Sequence, residues 1–245
     1  MTYCLGLLPD DGLVLAADTR TNAGVDNIST FSKMHVVENS GERFIALLSA
    51  GNLAVTQAVV NLVTEGLGDE DEPVETLETV PSMFRAAQLV AGAVRDVYDT
   101  DGESMEEHGV GFDVSLLLAG QIEGRRMRLF QIYAAGNFIE ATTDTPYMQI
   151  GERNYGKPIL DRAVSHDISL EQGVKLALIS MDSTLRSNLS VGLPVDLVTY
   201  RVDSLQVATQ YRITEEDADF RLIRDTWSEA LKTTMERIPA PKWLQ

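Results

Sequence analysis

The sequence has 245 residues, of which 44% are hydrophobic and 23% are charged, and these are ordinary values for a globular protein. No apolar stretch approaches the roughly 18 residues that a membrane span requires, so we expect no membrane partner. The net charge of −17 predicts that the chain repels nucleic acid. Two acidic clusters, at 69–72 and 103–107, are expected to be solvated loops.

The chain is long enough for one continuous core, and no linker divides it, which predicts a single domain over 1–245. One cysteine, Cys4, cannot form an internal disulfide, and three histidines are too few for a Cys/His zinc cluster. We therefore expect no metal or other cofactor. The N-terminus lacks a basic leading segment, and acidic residues interrupt its apolar runs, so we expect no secretory signal and a cytoplasmic location.

The first half of the chain predicts strands followed by a pair of helices. An apolar run, a Pro-Asp-Asp-Gly turn and a second apolar run give a hairpin at the start of the chain. Helical spacing of apolar residues follows later, and loop-forming residues at 100–109 end this half. The expected elements are four strands, at 3–8, 13–17, 30–37 and 44–49, and then helices at 53–67 and 83–98.

The second half repeats this order of strands and then helices, and it ends with two strands and an amphipathic helix. The expected strands lie at 110–118, 127–133, 138–142, 147–150, 195–202 and 206–211, and the helices at 157–163, 170–186 and 217–238. Blocks of strands that alternate with helix pairs favour two packed antiparallel sheets covered by helices. We therefore predict an α+β fold, a four-layer αββα sandwich.

Three polar residues occupy unusual places in these elements. Thr2 opens a strand that reads as buried, Asp18 ends the next strand, and Lys33 lies within an apolar strand. Each has an ordinary explanation, because Asp18 can be a turn residue and Lys33 an edge-strand charge. Their combination is the informative feature.

The sequence resembles the proteasome β-subunit family of N-terminal nucleophile hydrolases. The resemblance lies in Thr2, in AADTR at 16–20, in FSK at 31–33 and in SAG at 49–51. Two further segments, GERNYGKP at 151–158 and RSNLSVG at 186–192, are most similar to the bacterial Anbu branch. The resemblance spans nearly the whole chain.

This resemblance implies a threonine peptidase whose nucleophile is Thr2 after removal of Met1. A free α-amine on Thr2 titrates close to neutral pH and serves as the base for its own hydroxyl. The resemblance further implies that Lys33 favours the neutral amine, that Asp18 holds the Lys33 ammonium, and that the Gly51 N–H binds the oxyanion. Alternatively, Gly51 only starts a helix.

Two positions depart from the family pattern. The family's Gly-Ser-Gly turn reads Gly-Glu-Arg here, with Glu152 in place of serine, and Ser187 replaces an expected aspartate. Ser190 remains where the family has a serine. Glu152 either supplies negative charge near the Thr2 amine or only pairs Arg153 or caps a turn, and the sequence leaves both interpretations open.

The resemblance also places substrate-binding residues, with a small-to-medium apolar side chain next to the scissile bond as the expected substrate. These positions are Thr21, Asn22, Ser49 and Leu53. His35 follows Lys33 by two residues and is expected to be a packed or surface histidine that does not take part in the reaction.

The family implies a peptide or unfolded-protein substrate and self-association into a large homo-oligomer, as a ring or an open helix. No Walker motif is present, so any ATPase partner is a separate chain. Two other functions stay open: an amidase that acts on small or conjugated amides, and a catalytically silent assembly subunit.

Overall fold

The computed structural model describes residues 1–22, 28–66 and 74–244. Its strands and helices follow the order expected from the sequence, with one additional two-stranded ribbon. The strands are β1 (Tyr3–Leu7), β2 (Gly12–Asp18), β3 (Arg20–Asn22), β4 (Ile28–Thr30), β5 (Met34–Asn39), β6 (Arg43–Gly51), β7 (Val114–Ile122), β8 (Arg128–Tyr133), β9 (Phe138–Glu140), β10 (Tyr147–Gly151), β11 (Val195–Arg201) and β12 (Val207–Ile213). The α-helices are α1 (Leu53–Glu65), α2 (Met83–Glu107), α3 (Lys157–Ala163), α4 (Leu170–Ser187) and α5 (Ala218–Arg237), and a 3₁₀ turn follows at Lys242–Leu244.

Two five-stranded antiparallel sheets form the centre of the molecule. The strand order is β10-β1-β2-β11-β12 in one sheet and β5-β6-β7-β8-β9 in the other, and β3 pairs only with β4. One apolar core lies between the sheets, a second lies under α1 and α2, and a third lies under α3, α4 and α5. The predicted four-layer αββα sandwich is confirmed.

The middle strands are apolar on both faces because each face contacts another layer. Every residue of β1 and β2 is buried. In β1, Cys4 faces the other sheet, whereas Leu5 and Leu7 face the helices. Strands that are buried on both sides read as continuous apolar runs. This pattern places β1 inside the sandwich, with one face against the other sheet and one against the helices.

The strand predicted at 30–37 is wrong in one respect, because the structure divides it into β4 and β5. Phe31 donates its N–H to the Thr19 carbonyl oxygen at 2.9 Å, which turns the chain between the two strands. The Lys33 side chain points to Asp18, whereas His35 is exposed on β5. The ribbon of β3 and β4 brings the number of described strands before the first helix to six instead of four.

The loop predicted at 100–109 is also wrong, because α2 continues to Glu107. Tyr98 contacts Gly102, where a Cβ atom would lie 2.9 Å from its ring, and stacks edge-on against Phe112 with centroids 5.1 Å apart. This packing stabilises a polar helical end that the sequence pattern does not favour. The acidic cluster at 69–72 and the predicted end of the first helix at Leu67 lie outside the described residues.

Helix α5 packs against the domain only through its first turns. Phe220 is buried, and Arg224 forms an ion pair of 2.8 Å with the buried Asp182 of α4. Leu231, further along the helix, is 52% exposed. No helix in the described ranges is long and apolar enough to cross a membrane.

Candidate active site

Thr2 is fixed at the open end of the sandwich, directly before β1. Its carbonyl oxygen accepts a 2.7 Å hydrogen bond from the Glu152 N–H. Gly151 pairs with Tyr3 and has φ = +79°, and a Cβ atom there would lie 2.0 Å from the Thr2 carbonyl oxygen. Only glycine fits this approach. Met1, before Thr2, is 67% exposed.

Asp18 and Lys33 form a buried ion pair beside Thr2. The Lys33 Nζ lies 2.7 Å from Asp18 Oδ1 and also donates to the Arg20 carbonyl oxygen at 2.6 Å. Asp18 accepts two backbone N–H groups as well, from Tyr3 at 3.0 Å and from Gly192 at 3.3 Å. The pair is therefore hydrogen-bonded to the peptide unit that joins Thr2 to Tyr3.

The pKa of Asp18 reflects this burial. Desolvation raises the pKa of its carboxyl above the usual range, and the Lys33 charge with the hydrogen bonds from Lys33, Tyr3 and Gly192 opposes the rise. Asp18 is fully buried and Lys33 is 7% exposed. Removal of either partner would leave an unpaired charge in the interior, which is strongly unfavourable.

The sheet register explains why these residues meet. Strands β1 and β2 are antiparallel, so the end of β2 at Asp18 lies beside the start of β1. Lys33 precedes β5, and its carbonyl oxygen accepts the Ser49 N–H at 2.9 Å, which holds it against β6 in the other sheet. Two short sequence patterns thus converge from different layers at one end of the sandwich.

Gly51 ends β6 and lies one residue before the N-cap of α1. Its φ is +120°, and a Cβ atom there would lie 2.1 Å from the Asp113 carbonyl oxygen. Asn52 caps α1 by accepting the Ala54 N–H at 3.0 Å. The N-terminus of a helix favours negative charge, so this turn suits a developing oxyanion.

Glu152 lies on the opposite side of Thr2 and is 5% exposed. Its carboxylate accepts the Asn154 N–H at 2.8 Å and the Asn188 side-chain amide at 2.7 Å. Within the described residues it forms no ion pair with Arg153. Of the interpretations left open by the sequence, the described residues show the turn cap and no ion pair with Arg153. An effect of the Glu152 charge on the Thr2 amine stays a prediction.

Ser190 is connected to this network through the backbone. Its N–H donates to Asn188 Oδ1 at 2.9 Å, and its carbonyl oxygen accepts the Asn22 amide at 3.2 Å. Ser187, by contrast, is exposed at the end of α4. The position where the family has an aspartate therefore presents its side chain to solvent.

A cleft with a volume of about 310 Å³ opens over Thr2. It is lined by the predicted nucleophile, Lys33 and Gly51, and by all four predicted substrate-binding residues, Thr21, Asn22, Ser49 and Leu53. Within the described residues, Thr21 Oγ1 and Asn22 Oδ1 are buried polar atoms without a hydrogen-bond partner. Such atoms beside an open cleft are suited to bind a polar ligand. His35 is exposed and lines a neighbouring cavity that shares Lys33, Ser49 and Leu53.

The sequence does not indicate the polar contacts behind Thr2. The Tyr3 hydroxyl lies 2.7 Å from Ser180 Oγ, which donates to the Gly156 carbonyl oxygen at 3.1 Å. Burial raises the pKa of Tyr3, so its hydroxyl stays neutral. The available signal was that Tyr3 is a tyrosine within an otherwise apolar buried strand, because a buried hydroxyl requires a partner.

Cys4 is next to the site but does not compete with Thr2. Its thiol is fully buried and contacts the Ser49 carbonyl oxygen at 3.6 Å. Burial raises the pKa of Cys4, against the effect of the Lys33 charge, so the thiol stays neutral.

Known proteins share both the fold and this arrangement of elements. The family described as "Proteasome subunit" matches residues 87–200. The structure of Anbu (ancestral beta-subunit) from Yersinia bercovieri is 50% identical, with 98% of this chain and 99% of that chain covered and a TM-score of 0.90. The chain belongs to the Anbu branch of the proteasome family.

Two further structures agree with this assignment. An Anbu (Gly-1) mutant from Hyphomicrobium sp. strain MC1 is 50% identical, covers 99% of this chain and 100% of that chain, and has a TM-score of 0.91. The structure described as a helical assembly of the Anbu complex from Pseudomonas aeruginosa is 46% identical, covers 98% of each chain and has a TM-score of 0.90. The family and fold that the sequence predicted are confirmed.

Proposed function

We propose that the chain is a threonine peptidase that hydrolyses peptide bonds through Thr2 after Met1 is removed. The observation that carries the proposal is the buried Lys33–Asp18 pair, bonded to the Tyr3 N–H directly after the nucleophile. A buried ion pair is a weak source of stability, so its position beside an open cleft favours a catalytic role.

The reaction proceeds in two steps. The Thr2 amine takes the proton of Oγ, Oγ bonds to the substrate carbonyl carbon, and the tetrahedral intermediate loses its C–N bond as the proton passes to the leaving amine. Water then attacks the carbonyl carbon of the resulting ester while the Thr2 amine takes its proton. The bond between that carbon and Oγ breaks, the proton passes from the amine to Oγ, and the acid is released with Thr2 restored. The free amine is essential, so the reaction requires removal of Met1.

Lys33 and Asp18 act as a unit in this proposal. The positive charge of Lys33 lowers the pKa of the Thr2 amine, which increases the unprotonated fraction, and it stabilises the alkoxide as Oγ loses its proton. Asp18 offsets the cost of burying the ammonium and fixes its position at 2.7 Å.

Gly51 is proposed to bind the oxyanion through its N–H. Such a donor typically contributes about 2.7 to 4 kcal/mol to transition-state stabilisation. The positive φ of Gly51 and its contact with Asp113 hold this turn in one conformation.

Glu152 and Ser190 are proposed to support Thr2 from the other side. The Glu152 charge raises the basicity of the amine, while its N–H holds the Thr2 carbonyl oxygen. Ser190 is positioned by Asn188 and Asn22, within the same network. Thr21, Asn22, Ser49 and Leu53 are proposed to bind the acyl half of a peptide or unfolded protein that has a small-to-medium apolar residue before the scissile bond.

We further propose that the chain works as a cytoplasmic homo-oligomer. The helical assembly described for the Pseudomonas aeruginosa relative supports self-association. The exposed apolar residues Leu231, Met235 and Ile238 of the α5 end, 52% to 66% accessible, give a surface that suits a neighbouring copy. Any ATPase that delivers folded substrates is a separate chain.

The test is intact mass spectrometry combined with labelling by a threonine-directed peptide epoxyketone. We expect loss of Met1 and one adduct on Thr2, and no adduct on Thr2→Ala. Retained Met1 with no adduct would overturn the proposal and favour a silent assembly subunit. Hydrolysis of a small amide, without cleavage of peptides, would instead favour an amidase.

A further inference from the structure

A second cavity, which we call the outer groove, continues from the cleft over Thr2. It has a volume of about 440 Å³ and shares Ala50, Gly51, Asp113 and Gly151 with that cleft. Beyond these shared residues it is lined by β7, β8 and the turn after β10, including Ser115, Gln131, Tyr133 and Arg153. Cleft and groove therefore form one continuous surface.

The strand order gives this surface a direction. In one sheet, β5, β6, β7 and β8 are successive neighbours, so Lys33 before β5, Gly51 of β6 and Ser115 of β7 follow one another. In the other sheet, β2, β1 and β10 are neighbours. Asp18, Thr2 and Gly151 therefore follow one another across this sheet in the same direction as Lys33, Gly51 and Ser115 do across the first. A peptide that crosses Thr2 lies against Thr21 and Leu53 on one side and in the outer groove on the other.

Two polar groups in the outer groove have no partner within the described residues. Gln131 is 9% exposed and lines the groove, and its side-chain amide forms no hydrogen bond to the described residues. Arg153 forms no ion pair in the described part of the chain. Its neighbour Glu152 is occupied by Asn154 and Asn188 and does not neutralise it.

The charge balance of the chain makes this arginine informative. The sequence has 37 acidic and 20 basic residues, and Arg153 brings a positive charge to a groove that Asp113 also lines. The Arg153 backbone is fixed, because its carbonyl oxygen accepts the Gln149 amide at 3.3 Å. A guanidinium with a nearby amide donor matches the geometry of a carboxylate.

We infer that the outer groove binds the leaving half of the peptide and selects a carboxylate within its first two residues through Arg153 and Gln131. The inference rests on the proposed function, which assigns the acyl half to Thr21, Asn22, Ser49 and Leu53. Two extended residues span about 7 Å, so the carboxylate comes either from an acidic side chain or from the C-terminus of a short substrate.

The first experiment compares hexapeptides that share one acyl half and end in two residues after the scissile bond. One series has Ala-Ala with a free acid or an amide terminus, and the other has Ala-Glu or Ala-Gln with an amide terminus. Cleavage by the processed chain is followed by mass spectrometry. We expect kcat/KM to be about tenfold or more higher for the free acid or for Glu than for its neutral match, mainly through KM.

The matched variants are Arg153→Gln and Arg162→Gln. Arg162 is an exposed arginine in the last turn of α3, away from the groove, so it controls for the loss of one positive charge. We expect Arg153→Gln to abolish the carboxylate preference with little change for neutral peptides, and Arg153→Lys to keep part of it. Equal cleavage of all peptides by the parent chain would overturn the inference while leaving the peptidase proposal intact.

A binding measurement separates the two proposals if no peptide is cleaved. The affinity of the acid and amide peptides for Thr2→Ala is measured by calorimetry, with and without Arg153→Gln. Tighter binding of the acid, lost in the double variant, supports the carboxylate site even if the peptidase proposal fails. Equal affinities overturn the carboxylate site.

Discussion

The two sides of Thr2 are built differently. On one side, the Asp18 carboxylate binds a side-chain ammonium and two backbone N–H groups, so a charged pair lies beside Thr2. On the other side, the Glu152 carboxylate binds a backbone N–H and the Asn188 amide, both neutral. The first side presents a positive charge beside Thr2, and the second side is suited to hold a backbone in place.

This difference agrees with the position of Glu152, which departs from the family pattern on the second side. The ion pair must keep both members, because the loss of either leaves a buried charge. A carboxylate that only holds a backbone segment needs no charged partner. A neutral donor such as the Asn188 amide can bind several kinds of acceptor oxygen. Of the positions that depart from the pattern, Glu152 lies on the anchoring side, and Ser187 is exposed at the end of α4.

The largest effect is expected for Lys33→Met. Loss of the ammonium leaves Asp18 buried and unpaired, which should lower the free energy of unfolding by about 3 to 5 kcal/mol and reduce labelling of Thr2 by at least about 100-fold. Burial already raises the pKa of Asp18, and it should rise further without Lys33. Chemical denaturation measured at several pH values, together with epoxyketone labelling, tests both effects.

The pH dependence of this variant has a definite sign. A carboxyl whose pKa is higher in the folded state stabilises the fold below its unfolded pKa, and this contribution is lost as pH rises through the folded pKa. Lys33→Met should therefore lose more stability relative to the parent at pH 8 than at pH 5. Lys175→Met, which removes an exposed pair with Glu171, is the control. A stability difference that is constant with pH would contradict the prediction.

A smaller effect is expected for Asn188→Ala. The substitution removes the partner of Glu152 Oε2 and of the Ser190 N–H, so we expect a loss of about 1 to 3 kcal/mol in unfolding free energy. Labelling of Thr2 should fall by about tenfold or less, because the anchor is weakened but the ion pair stays. Asn137→Ala, at an exposed turn position, should change neither quantity. A loss of labelling as large as in Lys33→Met would mean that the two sides do not differ in role.

A still smaller effect is expected for Glu152→Gln, which keeps an oxygen acceptor but removes the charge. Without the negative charge, the pKa of the Thr2 amine should fall. The pH below which the rate of Thr2 labelling decreases should therefore be lower than in the parent. Unfolding free energy should change by about 1 kcal/mol. The control is Glu123→Gln, an exposed position. An unchanged pH profile would leave Glu152 with only its turn-capping role.

The smallest effect is expected for His35→Ala. His35 is exposed on β5, so the labelling rate should stay within about twofold and the unfolding free energy within about 0.5 kcal/mol of the parent. The labelling rate between pH 5 and 8 is the measurement. If the pH below which labelling slows differs between His35→Ala and the parent, the protonation of His35 affects the site. His35 would then be a third charged group on the Lys33 side.

Most of the fold was predictable from short-range patterns. Helix α3 has the predicted bounds, and β1, β2 and α4 end within one residue of them, because their apolar periodicity and turn residues agree. The strand at 30–37 and the end of α2 were mispredicted for one reason. Both depend on contacts with distant segments: the Lys33 side chain with Asp18, and Tyr98 with Phe112 beyond the end of the helix.

The sequence by itself determined the four-layer architecture through the periodicity of its apolar residues, and the family through short motifs. The resemblance to that family pointed to residues that line the cleft over Thr2. Only the tertiary structure decided what supports Thr2. Tyr3 meets Ser180 across 177 positions, and Glu152 meets Asn188 across 36. Hydrogen bonds between such distant side chains form only after the sheets and helices have packed, and no local pattern encodes them.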